Sequence, residues 1–320
     1  MLRRTFLQVP PLVFGAGLTR AAQDAPMPMT TLGKTGLRVS RFCLGGAHMA
    51  MGGEENGIRI VRRAIDLGVT FLDSAHLYSR GLSDEIYGKA LEGGLRQRVV
   101  LMSKAERRDR KGALEQLEET LRRMRTDYLD LWQCHQVTTM EEVDQILAPG
   151  GALEAFVQAK REGKARHIGF TGHADPAVHL RLLAAYDGWE TVQHPVNLVD
   201  PHYLSFIRNV LPEVRKRGLG LIAMKSNAMG PIAQQGIATV AECLRFTLSH
   251  DVDVVVSGVQ TVEQLEENVA TVKAFRKLSQ QEIDAILART AKGPVGVKVE
   301  RYKRAPQGAS LRPHADGEPV

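Results

Sequence analysis

The residues best suited to chemistry lie in the stretch from Phe71 to Tyr78, which reads Phe-Leu-Asp-Ser-Ala-His-Leu-Tyr. An apolar run predicts a buried strand that ends at Asp73, and turn-like residues after Tyr78 lead into a helical pattern. We therefore expect a carboxylate at the carboxyl end of a strand and a phenol in the loop beyond it. In a barrel of parallel strands, active sites are built at that end.

A lysine and a histidine follow two later apolar runs in the same way. Lys104 ends the run that begins at Val99, and His135 ends the run that begins at Tyr128. Taken alone, each residue has an ordinary structural explanation, because a lysine can be solvated and a histidine can be satisfied in a core. Together with Asp73, they form a set that would meet at one end of a barrel.

The chemistry of this set follows from its charges. Moving the pKa of a phenol from about 10 to about 7 requires roughly 4 kcal/mol, and an ammonium about 4 Å away supplies on the order of that energy at an effective dielectric of about 20. Lys104 beside Tyr78 would make the phenol a better acid, and Asp73 would keep Lys104 charged. A neutral His135 would donate a hydrogen bond to a carbonyl oxygen. These roles predict that Tyr78 protonates a carbonyl oxygen, and the accompanying hypothesis is hydride delivery to the carbonyl carbon.

The four residues resemble the catalytic tetrad of the aldo-keto reductases, in order and in setting. The resemblance spans residues 29–291 and includes the stretches 163–172 and 266–268. It implies an α/β fold, a (β/α)8 TIM barrel that begins with an N-terminal β-hairpin. It also implies a small-molecule carbonyl substrate, an aldehyde or ketone, and NADPH as the cofactor, with NADH as the alternative.

The pattern along the chain favours one barrel, because strand-like and helix-like stretches alternate with no linker between them. The strand-like runs are 39–44, 69–73, 98–103, 128–134, 166–171, 190–194, 219–224 and 252–257. The helix-like stretches are 54–67, 84–92, 112–125, 151–162, 176–186, 203–217, 237–250, 261–274 and 279–290. A Rossmann domain would need a Gly-x-Gly-x-x-Gly turn after its first strand, and the sequence has none.

The resemblance also assigns residues to the cofactor, which would lie extended across the carboxyl end of the barrel. These residues are Gly45, Gly46, Asp73, Thr171, Gln193, Met224, Lys225, Ser257, Gly258, Gln264, Glu267 and Asn268. Gln193 matches the family's contact to the nicotinamide carboxamide, and Thr171 matches a neighbouring serine, but Gly172 replaces the asparagine that commonly follows. Met224 stands where many members stack an aromatic residue on the nicotinamide. Gln264 stands where many have an arginine on the 2′-phosphate, so the choice between NADPH and NADH stays open.

Two other functions remain as alternatives at this stage. A metal-dependent hydrolase or isomerase is the first alternative, because five histidines are expected near one rim. They are His48, His76, His135, His173 and His194. The sequence has no His-x-His or His-Glu-x-x-His spacing, which disfavours a metal site. A cofactor-binding redox sensor or regulatory subunit with slow turnover is the second alternative.

Charge and cysteine content narrow the partners. The formal charge of +6 and pI of about 9.3 do not by themselves indicate nucleic acid, because the basic residues are distributed along helices that also carry acids. We interpret them as solvated faces, for instance at Arg62, Arg63, Arg107, Arg108, Arg122, Arg123, Arg215, Lys216 and Arg217. Cys43, Cys134 and Cys243 each lie in an apolar segment, which indicates buried core thiols.

The two ends of the chain suggest separate segments. Residues 1–23 resemble a twin-arginine export signal, with Arg3 and Arg4, an apolar stretch too short to span a membrane, and small residues at 21 and 22. This predicts export to the periplasm through the twin-arginine machinery, or a membrane tether if uncleaved, and a cytoplasmic protein if the interpretation is wrong. The tail, residues 292–320, is either disordered or folds over the substrate pocket with residues 295–302. Substrate identity and oligomeric state stay open.

Overall fold

The computed structural model describes residues 25–304, and these confirm the predicted barrel. Eight parallel strands close on themselves in the order β10-β3-β4-β5-β6-β7-β8-β9. They are β3 (Phe42–Gly45), β4 (Phe71–Asp73), β5 (Val100–Ala105), β6 (Leu129–Cys134), β7 (Ala165–Thr171), β8 (Thr191–Pro195), β9 (Gly220–Met224) and β10 (Val254–Gly258). An antiparallel hairpin of β1 (Met29–Thr31) and β2 (Arg38–Ser40) precedes them.

Helices surround the strands. They are α1 (Glu54–Asp66), α2 (Leu82–Ala90), α3 (Arg110–Met124), α4 (Met140–Leu147), α5 (Ala152–Arg161), α6 (Pro176–Ala185), α7 (Phe206–Asn209), α8 (Leu211–Lys216), α9 (Pro231–Gln234), α10 (Val240–Ser249), α11 (Val262–Lys273) and α12 (Gln280–Thr290). Helix α4 was not predicted, although Thr139 and Glu142 form a capping box at its start. A capping box can be recognised in a sequence. The predicted helix over 203–217 is wrong in its bounds. Ser205 caps α7, which begins at Phe206, and α8 ends at Lys216.

The hairpin closes the amino-terminal end of the barrel. The side chain of Leu32 is fully buried among residues that point into the barrel, and the Lys34 amide donates to the Gly218 carbonyl at 2.8 Å. Gly33 has a φ of +46°, and a Cβ there would lie 2.1 Å from the Gly220 amide nitrogen. Only glycine fits this contact, so the turn seats directly against the start of β9.

The predicted strand over 39–44 spans two elements rather than one. β2 ends at Ser40 and β3 begins at Phe42, so the chain passes from hairpin to barrel at Arg41. The Arg41 guanidinium donates to the carbonyls of Leu248 and Val252, at 3.4 and 3.2 Å. An apolar alternation cannot reveal this break, because both elements keep the same side-chain periodicity.

The segment after α12 runs back across the carboxyl end of the barrel. Val299 is buried, and Lys303 forms ion pairs with Asp200 and Glu300, all three of them enclosed. The Arg304 amide donates to the Ala174 carbonyl at 2.8 Å. This part of the tail therefore contacts the loops after β7 and β8. The predicted export signal, and the tail beyond residue 304, lie outside the described residues.

The cysteines and the helices bear on two further expectations. Cys43, Cys134 and Cys243 are buried free thiols, as the sequence indicated. Within residues 25–304, no helix is long and apolar enough to cross a membrane.

Candidate active site

A buried ion pair forms the base of the site. Asp73 ends β4 and Lys104 lies near the end of the neighbouring β5, so their side chains meet inside the rim. The Lys104 ammonium pairs with one Asp73 carboxylate oxygen, donates to the Ser74 carbonyl at 2.7 Å, and lies 3.3 Å from the Tyr78 hydroxyl. Asp73 and Lys104 are only 2% and 1% exposed. The ammonium therefore links a carboxylate to a phenol away from bulk water.

The second carboxylate oxygen of Asp73 accepts a hydrogen bond from the Gln193 side-chain amide at 3.1 Å. Gln193 belongs to β8, across the barrel mouth from β4. Its own oxygen Oε1 is buried and has no hydrogen-bond partner among the described residues. Gln193 thus fixes Asp73 while keeping one acceptor free.

The loop after β4 presents Tyr78. Ser79 and Arg80, which follow it, both adopt left-handed backbone angles, with φ of 49° and 57°. The Tyr78 ring meets the His135 ring edge-on, with centroids 5.6 Å apart. The phenol therefore stands between the ammonium of Lys104 and the imidazole of His135.

His135 follows β6 directly and is only 5% exposed. Burial holds the pKa of its imidazole well below the ordinary value, and Lys104 lowers it further, so the ring is neutral at pH 7. The Arg108 guanidinium donates to the His135 carbonyl at 2.9 Å and to Glu142 at 3.0 Å. Arg108 thereby fixes the backbone that carries the imidazole.

The pKa of Tyr78 corrects one expectation. Burial raises the pKa of the phenol, and the opposing effect of Lys104 does not cancel it, so the pKa lies above its ordinary value. The prediction of a pKa shift towards neutrality is therefore wrong, because desolvation of the phenolate outweighs the ammonium. Tyr78 is therefore fully protonated at pH 7. It can still protonate an alkoxide, which is a stronger base than any phenolate.

The charge of Lys104 agrees with the role expected of Asp73. Burial lowers the pKa of the ammonium, but Asp73 and Tyr78 together raise it by more, and the net pKa is above the ordinary value. Lys104 is therefore charged at neutral pH and can stabilise a phenolate as it forms.

The predicted cofactor residues lie at the same end of the barrel, but several are committed to packing. A Cβ at Gly46 would meet the Asp73 carbonyl at 2.7 Å, and one at Gly45 would meet the Gly258 amide at 3.1 Å. The Thr171 hydroxyl accepts from the Gln136 amide at 3.0 Å. A side chain at Gly46 would clash with the backbone of β4, and one at Gly45 would be tightly packed against β10.

Met224 ends β9, Lys225 follows it, and both are half-buried. Lys225 has a left-handed φ of 58°, and its ammonium lies 5.7 Å from the centre of the Tyr302 ring. Burial, assisted by the charge of Lys104, lowers the pKa of Lys225 to about 8. No carboxylate of residues 25–304 lies in ion-pair contact with Lys225, and the charge of Asp73 opposes the lowering of its pKa only in part.

Four more of the predicted cofactor residues lie around β10 and the start of α11. The Asn268 amide donates to the Ser257 hydroxyl at 3.2 Å. Gln264 and Glu267 are exposed on α11, and the Gln264 side chain accepts from the Gln260 amide at 2.8 Å. The structure therefore brings Ser257 and Asn268 together and leaves the other two facing solvent.

The chain is similar to known proteins in sequence and in fold. The sequence matches the Aldo/keto reductase family over residues 41–239. The chain belongs to the aldo/keto reductase family. L-galactose dehydrogenase of Arabidopsis thaliana is 28% identical over 306 residues, which cover 81% of this chain and 94% of that protein. The uncharacterised oxidoreductase YrpG of Bacillus subtilis is 32% identical over 242 residues, covering 67% of this chain and 71% of that protein.

Solved aldo-keto reductases have the same fold. The holo form of one from Bacillus halodurans superposes with a TM-score of 0.71 at 24% identity, covering 86% of this chain and 99% of that one. One from Klebsiella pneumoniae, in complex with NADPH, gives a TM-score of 0.66 at 24% identity, covering 81% and 94%. At these identities the likeness supports the fold alone. Family membership makes this aldo-keto reductase an NAD(P)-dependent oxidoreductase.

The histidines within residues 25–304 of this aldo-keto reductase have separate partners. His76 bonds to Glu106 and Glu119, whereas His194 stacks on Phe206 of α7 with centroids 5.5 Å apart. His173 lies 3.2 Å from the Gln136 side-chain oxygen. Among the residues described, no group of three or more histidine, cysteine or acidic side chains could hold a metal ion.

Two arginines near the site are less exposed than the sequence suggested. Arg108 and Arg123 were interpreted as solvated, yet their side chains are only 12% and 13% exposed because each is engaged in an ion pair. Tyr302 donates to Glu300 at 2.8 Å and faces Lys225. Charge alone could not distinguish these arginines from exposed ones, whereas Tyr302 lies in the segment 295–302 that was expected to fold over the pocket.

Proposed function

We propose that this protein is an NADPH-dependent carbonyl reductase that converts an aldehyde or ketone to an alcohol. The proposal depends above all on the buried Lys104 ammonium, which joins Asp73 to the Tyr78 hydroxyl. That arrangement suits a proton donor whose conjugate base needs immediate stabilisation. The NADPH named for the Klebsiella pneumoniae relative supports the cofactor.

The residues present fit a nicotinamide dinucleotide. The free acceptor Oε1 of Gln193 suits the amide N–H of a carboxamide. The ammonium of Lys225, which has no ion-pair partner among residues 25–304, suits a phosphate when it is charged. The amino end of α11, capped by Thr261, offers backbone N–H groups to an anion. The cofactor, when bound, supplies the hydride.

The side chains divide the remaining work. Neutral His135 donates a hydrogen bond that orients and polarises the carbonyl oxygen. Tyr78 transfers its proton to that oxygen, and the charged Lys104 stabilises the phenolate left behind. Asp73 keeps Lys104 protonated throughout. The reaction therefore needs a Tyr78 hydroxyl that is protonated and a Lys104 side chain that stays charged.

The test measures oxidation of NADPH and NADH with a panel of aldehydes and ketones, including sugar aldehydes because of the likeness to L-galactose dehydrogenase. We expect Tyr78→Phe to lower kcat by about 10²- to 10⁴-fold with little change in the Kd of NADPH. Tyr186→Phe, which changes a tyrosine packed on Trp189 outside the barrel, is the matched control and should keep full activity.

Other outcomes favour other functions. If NADPH binds but neither form reduces any carbonyl, a redox sensor or regulatory subunit replaces the reductase. If no nicotinamide cofactor binds at all, the proposal fails. The ratio of activities with NADPH and NADH reports whether exposed Gln264 tolerates a 2′-phosphate.

A further inference from the structure

The loop that carries Tyr78 has an unfavourable backbone. Ser79 and Arg80 both have left-handed φ angles. Residues other than glycine seldom adopt such angles, so surrounding contacts must impose them. Leu77 beside them is 39% exposed, so it contributes little packing. The position of the phenol therefore depends on other contacts between this loop and the barrel.

His76, two residues before Tyr78, provides such contacts in two directions. Its Nε2 lies 2.9 Å from a Glu119 carboxylate oxygen on α3, and its Nδ1 lies 3.3 Å from a Glu106 carboxylate oxygen beyond β5. Arg123 of α3 donates to the His76 carbonyl at 3.4 Å and to Glu119 at 2.6 Å. One histidine thus joins the loop to two neighbouring elements.

Both ring nitrogens of His76 face carboxylates, and this determines its protonation state. A neutral imidazole has one N–H and can donate to only one of the two. The imidazolium donates to both. The charged groups around the ring are the carboxylates of Glu106, Glu119 and Asp84, opposed by the guanidinium of Arg123. The bond to Glu106, opposed by burial, makes the largest contribution to a His76 pKa above the ordinary value.

We propose that His76 is a positioning residue whose protonated ring holds the Tyr78 hydroxyl against Lys104. The inference rests on the proposed role of Tyr78 as proton donor. Because the pKa of His76 is raised in the folded chain, the double link is complete below about pH 6.5. It is lost as the pH rises through the folded-state pKa. Above that pH one carboxylate link is gone, and the phenol occupies its productive position for less of the time.

The experiment compares kcat and KM between pH 5.5 and 9.5 for the wild type and His76→Gln. Glutamine, like neutral histidine, has a single donor group. We expect the wild type to exceed the variant in kcat by about tenfold at pH 6, because small misplacements of reacting groups are costly. This ratio should approach one at the alkaline end, and the KM for NADPH should stay within about twofold.

A matched control is available at the other end of the barrel. His167 lies near the start of β7, where its Nδ1 is 2.7 Å from a Glu190 carboxylate oxygen. His167→Gln removes the same kind of pair far from Tyr78 and should leave the pH profile of the wild type. Glu119→Gln keeps His76 but removes one carboxylate, and should move the wild-type decline in kcat to lower pH. This variant also decides the matter if His76→Gln does not fold.

The inference fails if the wild-type to His76→Gln ratio is the same at every pH, or if the loss appears in the KM for NADPH rather than in kcat. A separate readout needs no turnover, since NMR titration of the His76 ring should give a pKa above the ordinary histidine value. If carbonyls are not reduced, or Tyr78→Phe is fully active, the proposed function fails instead. A wild type that depends on Tyr78 but is indifferent to His76 overturns only this inference.

Discussion

At the scale of single residues, the site depends on a charge pair that is costly to separate. Asp73 and Lys104 are both enclosed, and removing one partner of a buried pair leaves a charge with neither water nor a counter-ion. The carboxylate retains the hydrogen bond from Gln193, which compensates it only in part. The catalytic arrangement is therefore also a determinant of stability.

We predict that Lys104→Met lowers the free energy of unfolding by about 3–5 kcal/mol and abolishes reduction. Adding Asp73→Asn should restore about 1–2 kcal/mol of that loss, because the two side chains are coupled, while activity stays absent. Urea unfolding of the wild type, both single variants and the double variant measures the coupling. Strictly additive losses would show that the pair contributes nothing beyond its separate parts.

At the scale of elements, the amino-terminal hairpin closes one end of the barrel while the site occupies the other. Gly33 and Gly36 both have positive φ, at +46° and +75°. A Cβ at Gly33 would lie 2.1 Å from the backbone of Gly220, whereas one at Gly36 would meet nothing within 4 Å. The two glycines therefore separate the cost of packing from the cost of the backbone angle.

Gly36→Ala should lower the free energy of unfolding by about 1–2 kcal/mol, which is the backbone cost alone. Gly33→Ala should lower it by about 2–4 kcal/mol, because the backbone of β9 must also move. Thermal or urea unfolding gives both values. The kcat of each variant should equal that of the wild type, since the hairpin lies opposite Tyr78. Equal losses at the two positions would contradict a seated turn.

The elements themselves were predicted well because their signals are local. Apolar runs that stop at Asp73, Lys104 and His135 identified strand ends, and the resemblance to a family then joined residues distant in sequence. The sequence could not predict hydrogen bonds between residues that only folding brings together. The bond from Arg108 to the His135 carbonyl joins residues 27 positions apart. Nor did it reveal that desolvation outweighs a neighbouring ammonium at Tyr78, since burial is a property of the folded chain.

At the scale of the whole molecule, the cysteines bear on where the protein could work. Burial raises the pKa of Cys134 to about 11 and that of Cys243 to about 12, and it raises the pKa of Cys43 well above the ordinary value. Buried thiols with so little thiolate are poor nucleophiles and resist oxidation. Three thiols of this kind are compatible with the export to an oxidising compartment that the amino-terminal sequence predicts.

We predict that residues 1–23 direct export of the protein to the periplasm through the twin-arginine machinery. Replacing Arg3 and Arg4 by lysine should leave the protein in the cytoplasm at full length, because a twin-arginine signal is read through that pair. The wild type should appear in the periplasm, shortened by cleavage near Ala22. Cell fractionation with mass spectrometry measures both. Lysine at Arg62 and Arg63, another adjacent pair, should not change export. Full-length wild type in the membrane fraction would indicate a tether, and cytoplasmic wild type would refute the signal.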